Sequence, residues 1–78
     1  MNTIDYAANF SHNIRFLRQQ HNLSQKDMAR ILGMGVGMLR RIEHGEMPRR
    51  CHAGHLLALS EHFGVATHAV LFQRLDED

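Results

Sequence analysis

One stretch limits the folds open to this chain of 78 residues: Leu23 to Gly45, LSQKDMARILGMGVGMLRRIEHG. It holds two short helical patterns with a glycine-bearing turn between them. Ser24 stands immediately before the first, Gln25 to Leu32. A small polar side chain at that place can accept from the free backbone N–H groups of a first helical turn. Leu23, Met28, Ile31 and Leu32 fall close to helical spacing, so one side of this segment is apolar. Gly33 follows directly, where a helix commonly ends in a left-handed residue that glycine adopts without strain. Helical periodicity restarts at Val36 and runs to His44 with Leu39 and Ile42 inward, and Gly45 stops it.

The flanking segments continue the pattern. Residues 1–6 read as a loose or partly helical start. Ala7, Phe10, Ile14 and Leu17 then recur at helical intervals, one face of an amphipathic helix that ends near Gln20. Asn13, Arg15, Arg18 and Gln19 fall mostly off that stripe, and His21-Asn22 makes the turn. Beyond Gly45, Pro48 stops any helix and fixes a bend in the loop Glu46-Met47-Pro48-Arg49-Arg50. His52 to Phe63 reads as a fourth helix with Leu56, Leu57, Leu59, Ser60 and Phe63 largely inward, closed by Gly64. Val65 opens a short last segment whose apolar residues are Val70, Leu71 and Phe72, and the tail from Gln73 to Asp78 reads as frayed. The expected architecture is one all-α domain over residues 1–78, with its core at about 7–73.

Two short helices joined by a turn of about three or four residues make a helix-turn-helix, whose second helix can enter the major groove of DNA. Here the pair spans residues 24–44. The wider chain resembles the Cro and phage-repressor (XRE-type) helix-turn-helix family from Asn13 to about Phe72. The resemblance rests on Ile14-Arg15-x-Leu17-Arg18, Leu23-Ser24-Gln25, Ala29, Leu32-Gly33, Arg41-Ile42-Glu43-x-Gly45, Pro48 and Phe63-Gly64-Val65, in the family's order. It implies a five-helix, lambda-repressor-like fold that binds double-stranded DNA through its third helix. By that likeness Val36, Gly37, Arg40 and Arg41 form the base-facing set, within which Arg40 suits a phosphate better. It also implies that Arg18 pairs with Glu43, tying the first helix to the end of the third. Hydrophobic residues near the C-terminal end would form a homodimer seam, with Val70, Phe72 and Leu75 as candidates; Leu71 suits core closure at least as well.

Phosphate contacts have a physical basis in the residues themselves. Ser24, Gln25 and Lys26 stand at the start of the second helix, where free N–H groups and the positive dipole end attract an anion. Arg49 and Arg50 flank the loop proline and suit backbone anchoring, which positions a protein without specifying sequence. The third helix departs from the family's habit. Gly35-Val36-Gly37-Met38 stands where polar side chains are usual. Two glycines inside a helix would cost roughly 1 kcal/mol each, and neither offers a side chain to a base. Val36 could meet a thymine methyl, while Met38 suits packing or the sugar-phosphate. Arg41 could take the arginine–guanine pairing that is the commonest specific contact. A bare helix start could also approach the groove floor and read shape. It could equally mark a domain that no longer reads bases.

Composition narrows the function classes. A chain this short buries only roughly 60% of its unfolded surface. The formal charge is only +1, but residues 1–50 carry eight Arg or Lys against four acids while residues 51–78 carry one against four. That asymmetry points to a basic face around the helix-turn-helix. One cysteine excludes an internal disulfide framework and suits a reducing compartment. No apolar run approaches the roughly 18 residues that span a bilayer, and no signal peptide is visible, so a cytoplasmic location is expected. Cys51, His52 and His55 could place two metal ligands on one helix face, but third and fourth ligands are wanting and no metal is expected. The seven histidines are expected at the surface. Gly33-x-Gly35-x-Gly37 lacks the strand and spacing of a phosphate loop, and no Ser/His/Asp arrangement exists, so neither catalysis nor a cofactor is expected. The resulting expectation is sequence-specific DNA binding by a small transcriptional regulator, a repressor in kind. The alternative is a protein-interaction module on the same fold, antitoxin-like or anti-repressor-like, with weak DNA affinity.

Overall fold

The computed structural model describes residues 5–76. The first four residues of the expected loose start, and the last two of the tail, lie outside it. Five helices follow in order: α1 Tyr6–Gln20, α2 Gln25–Leu32, α3 Val36–Glu43, α4 Ala53–Phe63 and α5 Thr67–Phe72. Their ends follow from local chemistry. Asp5 caps α1 by accepting from the Ala8 N–H at 2.9 Å, and Ser24 caps α2 by accepting from the Asp27 N–H at 3.0 Å. Gly33 and Gly64 take left-handed φ values of +74° and +69° at the ends of α2 and α4. Asn22, at φ +55°, turns the chain between α1 and α2 in a conformation that asparagine tolerates better than most residues.

The apolar stripes meet in one core of Phe10, Ile14, Leu17, Met28, Ala29, Leu32, Leu39, Ile42, Leu59 and Val70. α1 packs on α3 and α5, α2 on α3 and α4, and α4 on α5. The helix pair α2–α3 is therefore braced from both sides. Among the described residues no strand is present, and no helix is long and apolar enough to cross a membrane.

Five expectations change. Val70 is fully buried and belongs to the core, so it offers no surface to a dimer partner. Leu57 faces outward at 55% exposure, on the side of α4 that carries the exposed Glu61 one turn later. His55 is buried instead of lying at the surface. Asn13, placed off the apolar stripe by spacing alone, is fully buried and does structural work. Its amide donates to the carbonyls of Val70 and Gln73, both at 2.7 Å, and its Oδ1 accepts from the Leu75 N–H at 2.8 Å. Asn9 adds a bond to the Leu71 carbonyl at 2.9 Å. A six-residue helix such as α5 cannot hold itself in water, and these α1 side chains satisfy its orphan carbonyls. The tail is held too: His12 Nε2 lies 2.7 Å from Asp76 Oδ1, so residues 73–76 are not frayed.

Candidate nucleic-acid interface

α3 is tied at its end and bare at its start. At the end, Glu43 is almost fully buried. Arg18 on α1 meets its carboxylate with two parallel bonds, Nε to Oε2 at 2.7 Å and Nη2 to Oε1 at 3.0 Å. Gln25 on α2 donates to the same Oε1 at 3.1 Å, and Ser11 donates to the Glu43 carbonyl at 2.9 Å. Two elements, α1 and α2, thus converge on one residue of a third. A buried carboxylate is tolerable only with this degree of pairing, because its desolvation must be offset. The network then reaches the surface: Arg40 Nε donates to Gln25 Oε1 at 3.2 Å. Gln25 is therefore a bridge between α3's buried anchor and Arg40, and one of its two amide N–H groups is used in the Glu43 bond.

At the start, Gly35 is the N-cap in extended backbone and supplies no side-chain bond. Gly37 lies within the first turn, so only one of the two glycines bears the in-helix penalty. A Cβ built at either position meets nothing within 4 Å. Packing therefore does not demand glycine at either place. Val36 and Met38 are half-buried and pack against the core, which leaves Val36 only part of its surface for a base.

Gly35, Gly37, Met38, Arg41, Pro48, Arg49 and Arg50 line a groove of about 750 Å³ between the start of α3 and the following loop. Pro48 is buried and pins that loop, and the Cys51 N–H closes a turn onto its carbonyl at 3.0 Å. Arg49 and Arg50 are exposed and, among the described residues, form no ion pair. The structure thus brings Arg41, Arg49, Arg50 and Gly37 together on one groove. Ser24, Gln25, Lys26 and Arg40 gather at the start of α2 instead, joined through the Gln25–Arg40 bond. Sequence reasoning overlooked Glu46, whose Oε1 accepts from Arg41 Nε at 3.3 Å and Nη2 at 3.2 Å. The available signal was an acid five residues after the arginine, across a glycine.

The loop ends at an unusual helix start. His52 Nδ1 accepts from the Gly54 N–H at 3.0 Å, and His55 Nδ1 accepts from the His52 N–H at 3.2 Å. The two rings stack with centroids 4.0 Å apart. Both nitrogens act as acceptors, so this cap requires neutral imidazoles. Burial, and then the nearby His52, lower the His55 pKa, while a hydrogen bond with the Gly33 backbone opposes them. Glycine at 54 lets the ring sit there: a Cβ would stand 2.8 Å from His52 Cε1 and push the ring aside. Burial pushes the Cys51 thiol up, which makes it a poor nucleophile near neutral pH. Among the described residues, no group of three or more His, Cys, Asp or Glu is placed to hold a metal ion.

A helix-turn-helix family model matches residues 14–69, from the second half of α1 into α5. No curated protein and no solved structure matches the chain. That span covers the helix pair, the Arg18–Glu43 anchor and the arginine-bearing loop, and the all-helical architecture agrees with it. This chain belongs to the XRE/Cro-type helix-turn-helix family, a family of DNA-binding domains that are generally not enzymes.

Proposed function

We propose that the chain binds double-stranded DNA sequence-specifically in the cytoplasm, as a small transcriptional regulator that represses by occupying its site. α3 lies in the major groove with Gly37 and the exposed part of Val36 near the base edges and Arg41 directed at a guanine. Arg49 and Arg50 follow a phosphate strand from the loop, while Ser24, Gln25, Lys26 and Arg40 hold phosphates at the start of α2. The observation that carries this reading is the groove that joins α3's side-chain-free start to three arginines. Positive charge there steers the domain to the duplex, and the close approach of bare backbone serves both contact and shape reading.

The chain acts as a homodimer in this proposal. Tyr6 and Phe72 meet edge to face at 5.2 Å and both remain about half exposed, with Leu75 partly exposed nearby in sequence. Large aromatic surface of this kind suits burial against a second copy. Two-fold pairing would set half-sites about one helical turn (~34 Å) apart.

Selection of bound duplexes from a random pool tests the reading. A palindromic winner bound ~10³-fold more tightly than its scramble is expected. Arg41→Ala should then cost about 1–3 kcal/mol and relax preference at one base pair. Arg50→Ala should weaken all duplexes alike and flatten the salt dependence. A pool without an enriched sequence, bound weakly and only through salt-sensitive contacts, would favour a protein partner for this face.

A further inference from the structure

We infer that Glu46 is a specificity-determining residue that orients Arg41 for end-on reading of guanine; this rests on the DNA-reading role proposed above. The contact is built into the turn that ends α3. Gly45 takes a φ of +97°, the Gly45 N–H bonds to the Ile42 carbonyl at 3.0 Å and the Glu46 N–H bonds to the Arg41 carbonyl at 3.1 Å. This is the glycine-terminated helix end in which the second residue beyond the cap bonds back across the last turn. It returns the chain so that Glu46 stands beside Arg41 by backbone geometry, before any side-chain attraction acts. The carboxylate then takes the Nε–H and one Nη2–H on a single oxygen, Oε1.

The chemistry of what remains free is specific. A guanidinium carries five N–H donors, and the two facing Glu46 leave three, including the pair on the Nη1/Nη2 end. That end is a fork matched to the O6 and N7 acceptors of guanine. Holding the side edge therefore directs the end edge, and it removes rotamers that would otherwise cost entropy on binding. Glu46 Oε2 has no bond among the described residues and is an acceptor suited to the N4 amino group of a cytosine. The same negative charge repels phosphate, so Arg41 is held away from the sequence-blind backbone contact available to Arg49 and Arg50. An exposed ion pair contributes little to stability in water, and the function assigned here is orientation.

Duplex selection with wild type, Glu46→Ala and Glu46→Gln tests the inference, followed by binding of the wild-type winner and its scramble at several salt concentrations. Glu46→Ala should lose the guanine preference at one position per half-site, with the specific-to-scrambled ratio falling about tenfold. Its binding to the scramble should tighten, and its salt slope should steepen by about 0.9 as Arg41 turns to a phosphate. Glu46→Gln keeps the accepting oxygen and should retain the guanine preference, while also binding the scramble more tightly. In the free protein the Arg41 Nε–H nuclear magnetic resonance signal should move in the Ala variant and stay near wild type in the Gln variant, with unfolding midpoints unchanged in both. An unaltered specific-to-scrambled ratio in Glu46→Ala overturns the inference while leaving the DNA-reading role intact, and equal loss in both variants overturns orientation through the hydrogen bond. A wild-type protein with no preferred sequence overturns the parent reading and this one with it.

Discussion

α3 and α4 begin in opposite ways. α4 opens on two stacked imidazoles that accept two of its first backbone N–H groups, and Gly54 leaves room for the His52 ring. α3 opens on Gly35, which accepts none through a side chain, and both of its glycines have open space around them. Every helix start presents about four unpaired N–H groups. α4 satisfies part of its own through the two histidines, whereas the α3 cap residue has no side chain to do so. The glycines of α3 thus differ from Gly54: a Cβ at Gly54 would displace the capping His52 ring, and a Cβ at the others meets nothing. An eight-residue helix can leave one end bare only because the other is fastened, and the Glu43 network does that fastening.

Breaking the fastening should have the largest effect. Arg18→Ala leaves the buried Glu43 carboxylate with Gln25 as its remaining side-chain partner, and should destabilise the fold by about 3–5 kcal/mol. Chemical denaturation of the variant checks this. A loss below about 1 kcal/mol would put the pair in the class of exposed surface bridges, and would remove the reason that α3 tolerates an uncapped start.

Removing the imidazole cap should cost less. His52→Ala should destabilise by about 1 kcal/mol, the usual cost of a lost N-cap. The cap also gives stability a pH dependence of definite sign. The His55 pKa is lowered by folding, so between that lowered value and the unfolded value near 6.5 the unfolded chain binds more protons. This contribution is fully present above about pH 6.5 and is lost as pH falls through the folded value. The groups facing His55 are His52 from its own turn and the Gly33 backbone from the end of α2, and among the described residues neither histidine pairs with a carboxylate. Asp76, held low by its bond to His12, acts in the acid range below the ordinary carboxylate value and so lies outside this window. Unfolding midpoints measured from pH 7.5 to 5 should fall for wild type. They should flatten in His55→Gln, since glutamine can fill the same capping-box position without titrating. An equally steep profile in that variant would place the titration elsewhere.

The contrast also explains what could be read from the chain alone. Helix ends marked by Ser24, Gly33 and Gly64 are local signals, and the stripes through Phe10-Ile14-Leu17 and Leu39-Ile42 define the core without knowledge of distant contacts. Asn13 was not legible, because its burial depends on Val70, Gln73 and Leu75, which close on it only after the chain has returned. Histidine is not among the usual N-cap residues, so the His52–His55 pair suggested metal ligands before it suggested a cap. Among the arginines, the sequence set Arg40 apart from Arg41 by residue position, but it did not show that Arg41, Arg49 and Arg50 share one groove while Arg40 joins the α2 start. That division depends on the Gln25–Arg40 and Glu46–Arg41 bonds, each spanning a turn.

The smallest effects test the comparison most directly. Gly37→Ala should stabilise the protein by about 0.5–1 kcal/mol, since alanine removes the in-helix cost of glycine and its methyl meets nothing. Gly35→Ser should add only a few tenths of a kcal/mol, because glycine is already a fair cap and serine improves on it slightly. Stability alone would therefore favour both substitutions. If the bare start lies on the groove floor, each variant should be more stable yet bind its selected duplex more weakly, with Gly37→Ala losing more because its methyl projects from the first helical turn. Isothermal titration and denaturation of the same samples would read the two quantities together. A rise in stability with unchanged affinity would mean that α3's start touches no DNA and that the interface rests on the arginines and the α2 start. A rise in one with a fall in the other would identify the glycines as a stability cost retained for contact with the duplex.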